Sequence, residues 1–146
     1  MFTKAIKPAD GPKAIGPYSP AIKLSDFVYL SGQIPVDPLT GELVTGGIGP
    51  QTHQVFQNIL TVLEEMGLET RHIVKTTVFM TDLAMFGEMN EVYASYFEEP
   101  YPARSCVQVA ALPKGALVEI ECLVIDTLKY EKARETGSCC EGCTKK

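Results

Sequence analysis

The sequence predicts an α+β fold, one β-sheet that carries two helices on a single face. Three observations predict it. Residues 27–33 and 72–82 are dense in β-branched and aromatic side chains, and the first alternates as a half-buried strand does. Residues 52–66 repeat apolar side chains at intervals of three and four, which gives a helix one greasy stripe. Clusters of Pro, Gly and Asp separate these segments and mark turns between short elements.

Taken in order, residues 1–20 are rich in Pro and Gly, end in IGPYSP, and read as an irregular lead-in with at most a short strand. Strands are expected over 21–25 and 27–33, the latter with the pattern FVYLSGQ. PVDPLTGELVTGG is a turn region, in which Asp37-Pro38 and Thr40-Gly41 supply fixed and permissive backbone angles. Its glycines are not a phosphate loop, because no Lys-Ser or Lys-Thr follows them to meet phosphate and magnesium. The helix over 52–66 presents Val55, Ile59, Val62, Leu63 and Met66, broadened by Phe56 and Leu60, and Gly67 suits its C-cap. A strand follows at 72–82. A second helix over 84–97 sets Met85, Met89, Val92, Tyr93, Tyr96 and Phe97 on one face, and Pro100 and Pro102 bar its continuation. Strands over 104–111 and 117–128, joined by the turn LPKG, close the fold. Both helices need one apolar surface to cover, so they share a sheet face. The other face is solvated or covered by another subunit. Val74, Val78 and Met80 leave one face of the middle strand greasy, which favours a partner chain.

Length and composition bound the function. The 146 residues suffice for one domain with a core that needs no metal or disulfide staple, and 45% hydrophobic with 21% charged residues is an ordinary globular balance. Residues 1–128 are read as that domain and residues 129–146 as a flexible Cys-containing tail. No apolar run approaches a bilayer span, and MFTKAIKPAD lacks the apolar stretch of a secretory signal, so a cytoplasmic protein without membrane association is expected. A net charge of −5 argues against nucleic acid, whose binding depends on Lys and Arg neutralising phosphates. Of five cysteines, Cys106 and Cys122 lie in apolar segments, while Cys139, Cys140 and Cys143 form CCEGC near the end. Those three thiols lack a nearby histidine to close a zinc site, so no metal is expected. His53 and His72 have no recognisable metal spacing either, and His53, near a helix start, is expected to be exposed.

Several residues are candidates for chemistry. Alternation puts Arg104, Cys106 and Gln108 on one strand face, and Glu119 and Glu121 on one face of the last strand. If those strands pair through LPKG, an arginine and a glutamate approach each other at the sheet end. A guanidinium grips a carboxylate through two parallel hydrogen bonds and so anchors small organic acids. The plainer alternative is a structural ion pair. Tyr18 is either a ligand hydroxyl or packing, Ser31-Gly32-Gln33 either an anion-facing backbone or a bulge. Cys106, with no histidine beside it in sequence, reads more readily as a small filler than as a nucleophile.

Together, IGPYSPA, FVYLSGQIPVDPLTGEL, IVKTTVFMTDL and PARSCVQVAALPKGALVEIECLVI resemble the Rid (YjgF) family over residues 4–126. The resemblance implies a chorismate-mutase-like fold assembled as a homotrimer with clefts between subunits. It implies hydrolytic deamination of 2-iminobutanoate and 2-iminopropanoate to 2-keto acids and ammonia, with no cofactor. By the same resemblance Arg104 and Glu119 are catalytic: Arg104 binds the substrate carboxylate, and Glu119 is the acid associated with a water. Tyr18 closes the cleft, the Gly32 backbone lies beside the ligand, Asn90 is the helix asparagine near the pocket, and Cys106 lines it. The loop FEEPYPARS is shorter than the family pattern, and residues 127–146 have no counterpart. Two rival readings stay open: an RNA-directed translation inhibitor or endoribonuclease, and a non-catalytic small keto-acid binding protein or holdase.

Overall fold

A computed structural model describes residues 2–135. Six strands form one sheet: β1 (Thr3–Ile6), β2 (Ala21–Leu24), β3 (Phe27–Gln33), β4 (Ile73–Met80), β5 (Ala103–Gln108) and β6 (Val118–Ile125). Three helices accompany them: α1 (Ile48–Glu64), α2 (Phe86–Ala94) and α3 (Leu128–Glu135). The sheet order is β1-β2-β3-β6-β4-β5, antiparallel throughout except for the parallel pair β4–β5.

The mixed α+β architecture agrees with the sequence, and α1 and α2 both lie over one sheet face. On that face Val28, Leu30, Val78, Met80, Val118, Ile120 and Val124 pack against Val55, Phe56, Ile59, Leu63 and Met89. Rings lock the second helical segment onto the first: Phe56 stacks on Tyr96 at 4.4 Å and meets Tyr93 and Phe97 edge-on at 5.5 and 5.6 Å. The Tyr93 hydroxyl, 2.8 Å from Thr76 Oγ1, ties α2 to β4.

Several expectations are corrected. α1 begins at Ile48 rather than 52, because Pro50 occupies the first turn, where no N–H is needed. α2 stops at Ala94, and a short 3₁₀ turn, Leu83–Met85, precedes it, with Asp82 accepting the Ala84 N–H at 2.8 Å. The strands flanking LPKG do not pair: β4 lies between β5 and β6. Val78 and Met80 are fully buried under the helices rather than on an open face. The cause is an irregularity in the β4–β6 register between Ile73 and Lys75, which exposes Val74 and returns later even-numbered residues to the core. The open sheet face is apolar for a different reason: Phe27, Tyr29 and Val107 stand exposed on it, with Leu123 and Phe79 half-buried between them.

The expected domain boundary at 128 falls at the start of α3. Asp26 accepts from Lys129 Nζ at 2.6 Å and from Tyr130 at 2.7 Å, and Arg71 grips Glu131 through two hydrogen bonds of 2.9 and 3.0 Å. The CCEGC thiols lie outside the described residues. Among the described residues no helix is long and apolar enough to cross a membrane.

Candidate active site

Arg104 stands second on edge strand β5, beside Thr76 of β4, and points to the helix-covered side. Three residues of α2 hold its guanidinium. Asn90 Oδ1 accepts from Nη1 at 2.8 Å, and the guanidinium carbon lies 4.5 Å from the Tyr93 ring centroid and 5.5 Å from that of Phe86. Phe86, Asn90 and Tyr93 share one stripe because four and three residues separate them along the helix. A cation over two aromatic faces is held in place without losing its charge or its remaining donors. The guanidinium borders a cavity of about 480 Å³ lined with Asn90, Tyr93, Ala94, Tyr101 and Pro102. Burial pushes the Tyr93 hydroxyl above its usual range, so that it stays a neutral partner to Thr76.

Cys106 is two residues along β5 on the same side, with Sγ 3.7 Å from Met80 Sδ. Burial raises its thiol, and nearby Arg104 only partly offsets this. A raised thiol is a poor nucleophile. Its place beside Arg104 fits a wall.

Tyr18, Gly32 and Glu119 converge elsewhere. They line a cavity of about 230 Å³ together with Ile15, Ser31, Ile34 and Pro113. Ser31 Oγ donates to the Ser19 carbonyl at 2.7 Å, and the Ser31 N–H reaches the Pro20 carbonyl at 3.0 Å, which fastens the lead-in to β3. The β3–β6 register breaks between Leu30 and Gln33, and within that stretch the Glu119 carboxylate lies against Gly32. A Cβ on Gly32 would lie only 1.9 Å from Glu119 Oε1. Glycine is what lets the carboxylate lie against the β3 backbone. Burial first, and the charge of Glu121 second, raise the Glu119 pKa above the usual carboxylate value.

The structure therefore brings the six sequence-expected residues together in two groups, Arg104, Asn90 and Cys106 in one and Tyr18, Gly32 and Glu119 in the other. Within one chain the groups do not meet. β4 separates them, and Arg104 faces the helices while Glu119 lies on the opposite sheet face. The ion pair expected between β5 and β6 is thereby ruled out within the chain. The apolar stripe of the second helix accounts for Tyr93 as core and does not include Phe86, so the ring clamp is not legible from it. The spacing Phe86, Asn90, Tyr93 was the signal available. The two histidines stay apart from both groups. His53 is exposed with Nδ1 3.0 Å from the Tyr96 hydroxyl, and His72 is buried, its Nδ1 accepting the Glu69 N–H at 3.0 Å.

Comparison with known proteins identifies the family of the chain. The family model described as Endoribonuclease L-PSP matches residues 8–126. A human 2-iminobutanoate/2-iminopropanoate deaminase is 42% identical over 125 residues, which cover 86% of this chain and 91% of that protein. Among solved structures, a Rid-family protein of Yersinia pestis superposes with a TM-score of 0.81 at 48% identity, covering 84% of this chain and 98% of the other. Escherichia coli TdcF, solved with bound serine, gives 0.79 at 43% identity with coverages of 84% and 98%. A match over most of the chain, at this identity and in this fold, places the protein in the Rid (endoribonuclease L-PSP) family.

Proposed function

We propose that the protein is a cytoplasmic imine deaminase, which hydrolyses 2-iminobutanoate and 2-iminopropanoate to 2-keto acids and ammonia in the clefts of a homotrimer. The observation that carries this is the Arg104 guanidinium, clamped by Asn90, Tyr93 and Phe86 and bordering open space. It is a pre-set anchor for a small carboxylate. The name of the human relative supports the reaction, and serine bound to the Escherichia coli relative supports a small amino-acid-like ligand. The free thiols of Cys106 and Cys122 suit a reducing compartment.

Two copies are needed because one chain holds Arg104 and Glu119 on opposite sheet faces. The exposed Phe27, Tyr29 and Val107 offer the apolar surface for assembly. In each cleft Arg104 of one copy holds the carboxylate, and Glu119 of another faces the adjacent C=N carbon. Water adds to that carbon, its oxygen forming the new bond as the C=N π pair moves to nitrogen. The tetrahedral carbinolamine then takes a proton on nitrogen and loses ammonia, while the hydroxyl proton departs to leave the keto acid. Glu119, with its raised pKa, takes the proton from water and returns it to nitrogen. Tyr18 covers the reacting carbon, and Cys106 lines the wall beside Arg104. No cofactor enters any of these steps.

The name of the family model supports a second reading, RNA cleavage. The net charge of −5, and histidines apart from both clusters, leave it second.

The test couples the protein to a dehydratase that releases 2-iminobutanoate and follows 2-oxobutanoate. Arg104→Lys keeps charge but loses the two-point grip, so turnover falls at least ~10-fold. Glu119→Gln keeps 2-oxobutanoate binding and loses turnover. Mixing and reassembling the two variants restores about a quarter of the clefts if each takes its two residues from different copies. Binding without turnover in the unaltered protein would leave a keto-acid sensor. A stable monomer by sedimentation would remove the shared cleft.

A further inference from the structure

Two buried side chains of α1, Gln51 at 7% exposure and Asn58 at 1%, hydrogen-bond to backbone outside the helix. Two turns apart, they share one helix face. Asn58 donates from Nδ2 to the carbonyls of Ile34 at 3.0 Å and Val36 at 2.9 Å, in the segment that leaves β3 after Gly32. Gln51 spans two segments. Its Nε2 donates to the Val44 carbonyl at 3.2 Å, and its Oε1 accepts the N–H of Leu117, just ahead of Glu119, at 2.8 Å. Val44 is itself tied to the segment after β3, because its N–H donates to the Pro35 carbonyl at 3.0 Å and neighbouring Leu43 bridges Val36.

We infer that Gln51 is a positioning residue: its amide fixes the start of β6 against the segment after β3, and so seats the Glu119 carboxylate beside Gly32. The inference rests on the deaminase reading. The sheet argues for it first. The β3–β6 ladder is irregular between Leu30 and Gln33 and ends where Gln33 meets Ile120, one residue short of Glu119. At that end Gln51 does what the ladder does elsewhere, linking the two segments through Val44 and Leu117. Burial argues second. An amide whose donor and acceptor both meet buried backbone is held in one geometry, because each bond left unmade strands a desolvated group.

Clearance at the seat is the third argument. A Cβ on Gly32 would already overlap Glu119 Oε1 at 1.9 Å, so β6 cannot move toward β3, and movement away loosens the carboxylate. Gln51 lies with α1 on the helix-covered side, whereas Glu119 faces the opposite side of the sheet. It therefore acts through the β6 backbone and touches no substrate.

The experiment follows 2-iminobutanoate hydrolysis by Gln51→Met, which keeps the shape and loses both hydrogen bonds, at a temperature well below melting. Its kcat should fall at least ~10-fold, as misplacement of a reacting group does, while KM and 2-oxobutanoate affinity stay close to those of the unaltered protein. Gln51→Asn, one carbon too short to span both partners, carries the same expectation if the Met variant fails to fold. Val62→Ala, a cavity in the buried face further along α1, is the control: it lowers the melting temperature and should keep kcat. In a Glu119→Gln background, Gln51→Asn should cost no further turnover, because the group it seats is gone. If the unaltered protein is inert toward the imine, the deaminase reading falls, and this inference with it. If the unaltered protein reacts and the Gln51 variants keep their kcat, only the inference is overturned. It is equally overturned if Val62→Ala loses kcat in step with its melting temperature, or if the Gln51 variants lose 2-oxobutanoate affinity as much as turnover. A full additional loss in the Glu119→Gln background also overturns it.

Discussion

The Arg104 guanidinium lies 4.5 Å from the centroid of the Tyr93 ring, and the hydroxyl of that ring is fixed 2.8 Å from Thr76 Oγ1. Thr76 is also the residue paired with Arg104 across the parallel β4–β5 ladder. The arginine is thus held at both ends by one unit, its backbone through β4 and its head through a ring that β4 itself anchors. Tyr93→Phe keeps the ring and gives up the tie to Thr76, whereas Tyr93→Leu removes the aromatic face. For an anchor of the substrate carboxylate, Tyr93→Leu should raise KM for the imine roughly tenfold, since a cation–π contact is worth from about 0.5 kcal/mol when exposed to about 2 kcal/mol when desolvated. Tyr93→Phe should restore most of the loss. Steady-state kinetics of the two variants decide it, and equal defects in both would assign the effect to the hydroxyl rather than to the ring.

Gly32 is the corresponding device in the second cluster, beside Glu119. With a Cβ only 1.9 Å from Glu119 Oε1, Gly32→Ala must displace the carboxylate or spread β3 from β6. The variant should lose turnover by at least ~10-fold, as misplacement of a reacting group does, while 2-oxobutanoate still binds through Arg104. Titration calorimetry against rate measurement separates the two effects. Unchanged turnover would mean that the seat of Glu119 against β3 does not matter.

Much of this was legible in the sequence, and what was not has physical causes. FVYLSGQ alternates cleanly, and β3 spans the expected 27–33. Arg104 and Glu119 were recognisable as chemistry but not as residues on opposite sheet faces. Chain order makes β5 and β6 neighbours, and nothing local records that β4 inserts between them. Period-two counting failed at Val74 because one irregular position reverses the facing of everything after it. α3 escaped notice for another reason. LKYEKARE has little apolar periodicity, and its anchors, Asp26 and Arg71, lie far back in the chain.

Glu121 gives the site a pH signature. It lies on the same face of β6 as Glu119, and its charge adds to burial in raising the Glu119 pKa. If Glu119 must be ionised to take the proton of attacking water, turnover rises with pH through that raised value. Glu121→Gln removes the second cause and leaves burial, so the Glu119 pKa falls back partway toward the ordinary carboxylate value. The acidic limb of the kcat profile should therefore move to lower pH, with the plateau rate retained. An unmoved limb would show that it belongs to the substrate imine or to another group.

The C-terminal segment supplies the last prediction. Hydrogen bonds from Arg71, and then from Thr127, hold the Glu131 pKa down to about 2, and His72 Nε2 lies 3.4 Å from its carboxylate. A depressed carboxyl favours the docked form above its unfolded value of 4.5, and that contribution is lost as pH falls through about 2. Docking of α3 should therefore be constant from neutral pH to about 5 and weaken progressively below it. Glu131→Gln removes the charge at every pH, so α3 amides should exchange hydrogen faster even at pH 7. The Arg71–Glu131 contact is exposed, and added salt should have the same sense of effect. None of them touches Arg104 or Glu119, and the family match ends at residue 126. Truncation after Asp126 should accordingly leave imine turnover unchanged. A large loss on truncation, with no loss in Glu131→Gln, would assign a function to the residues beyond α3 rather than to its docking.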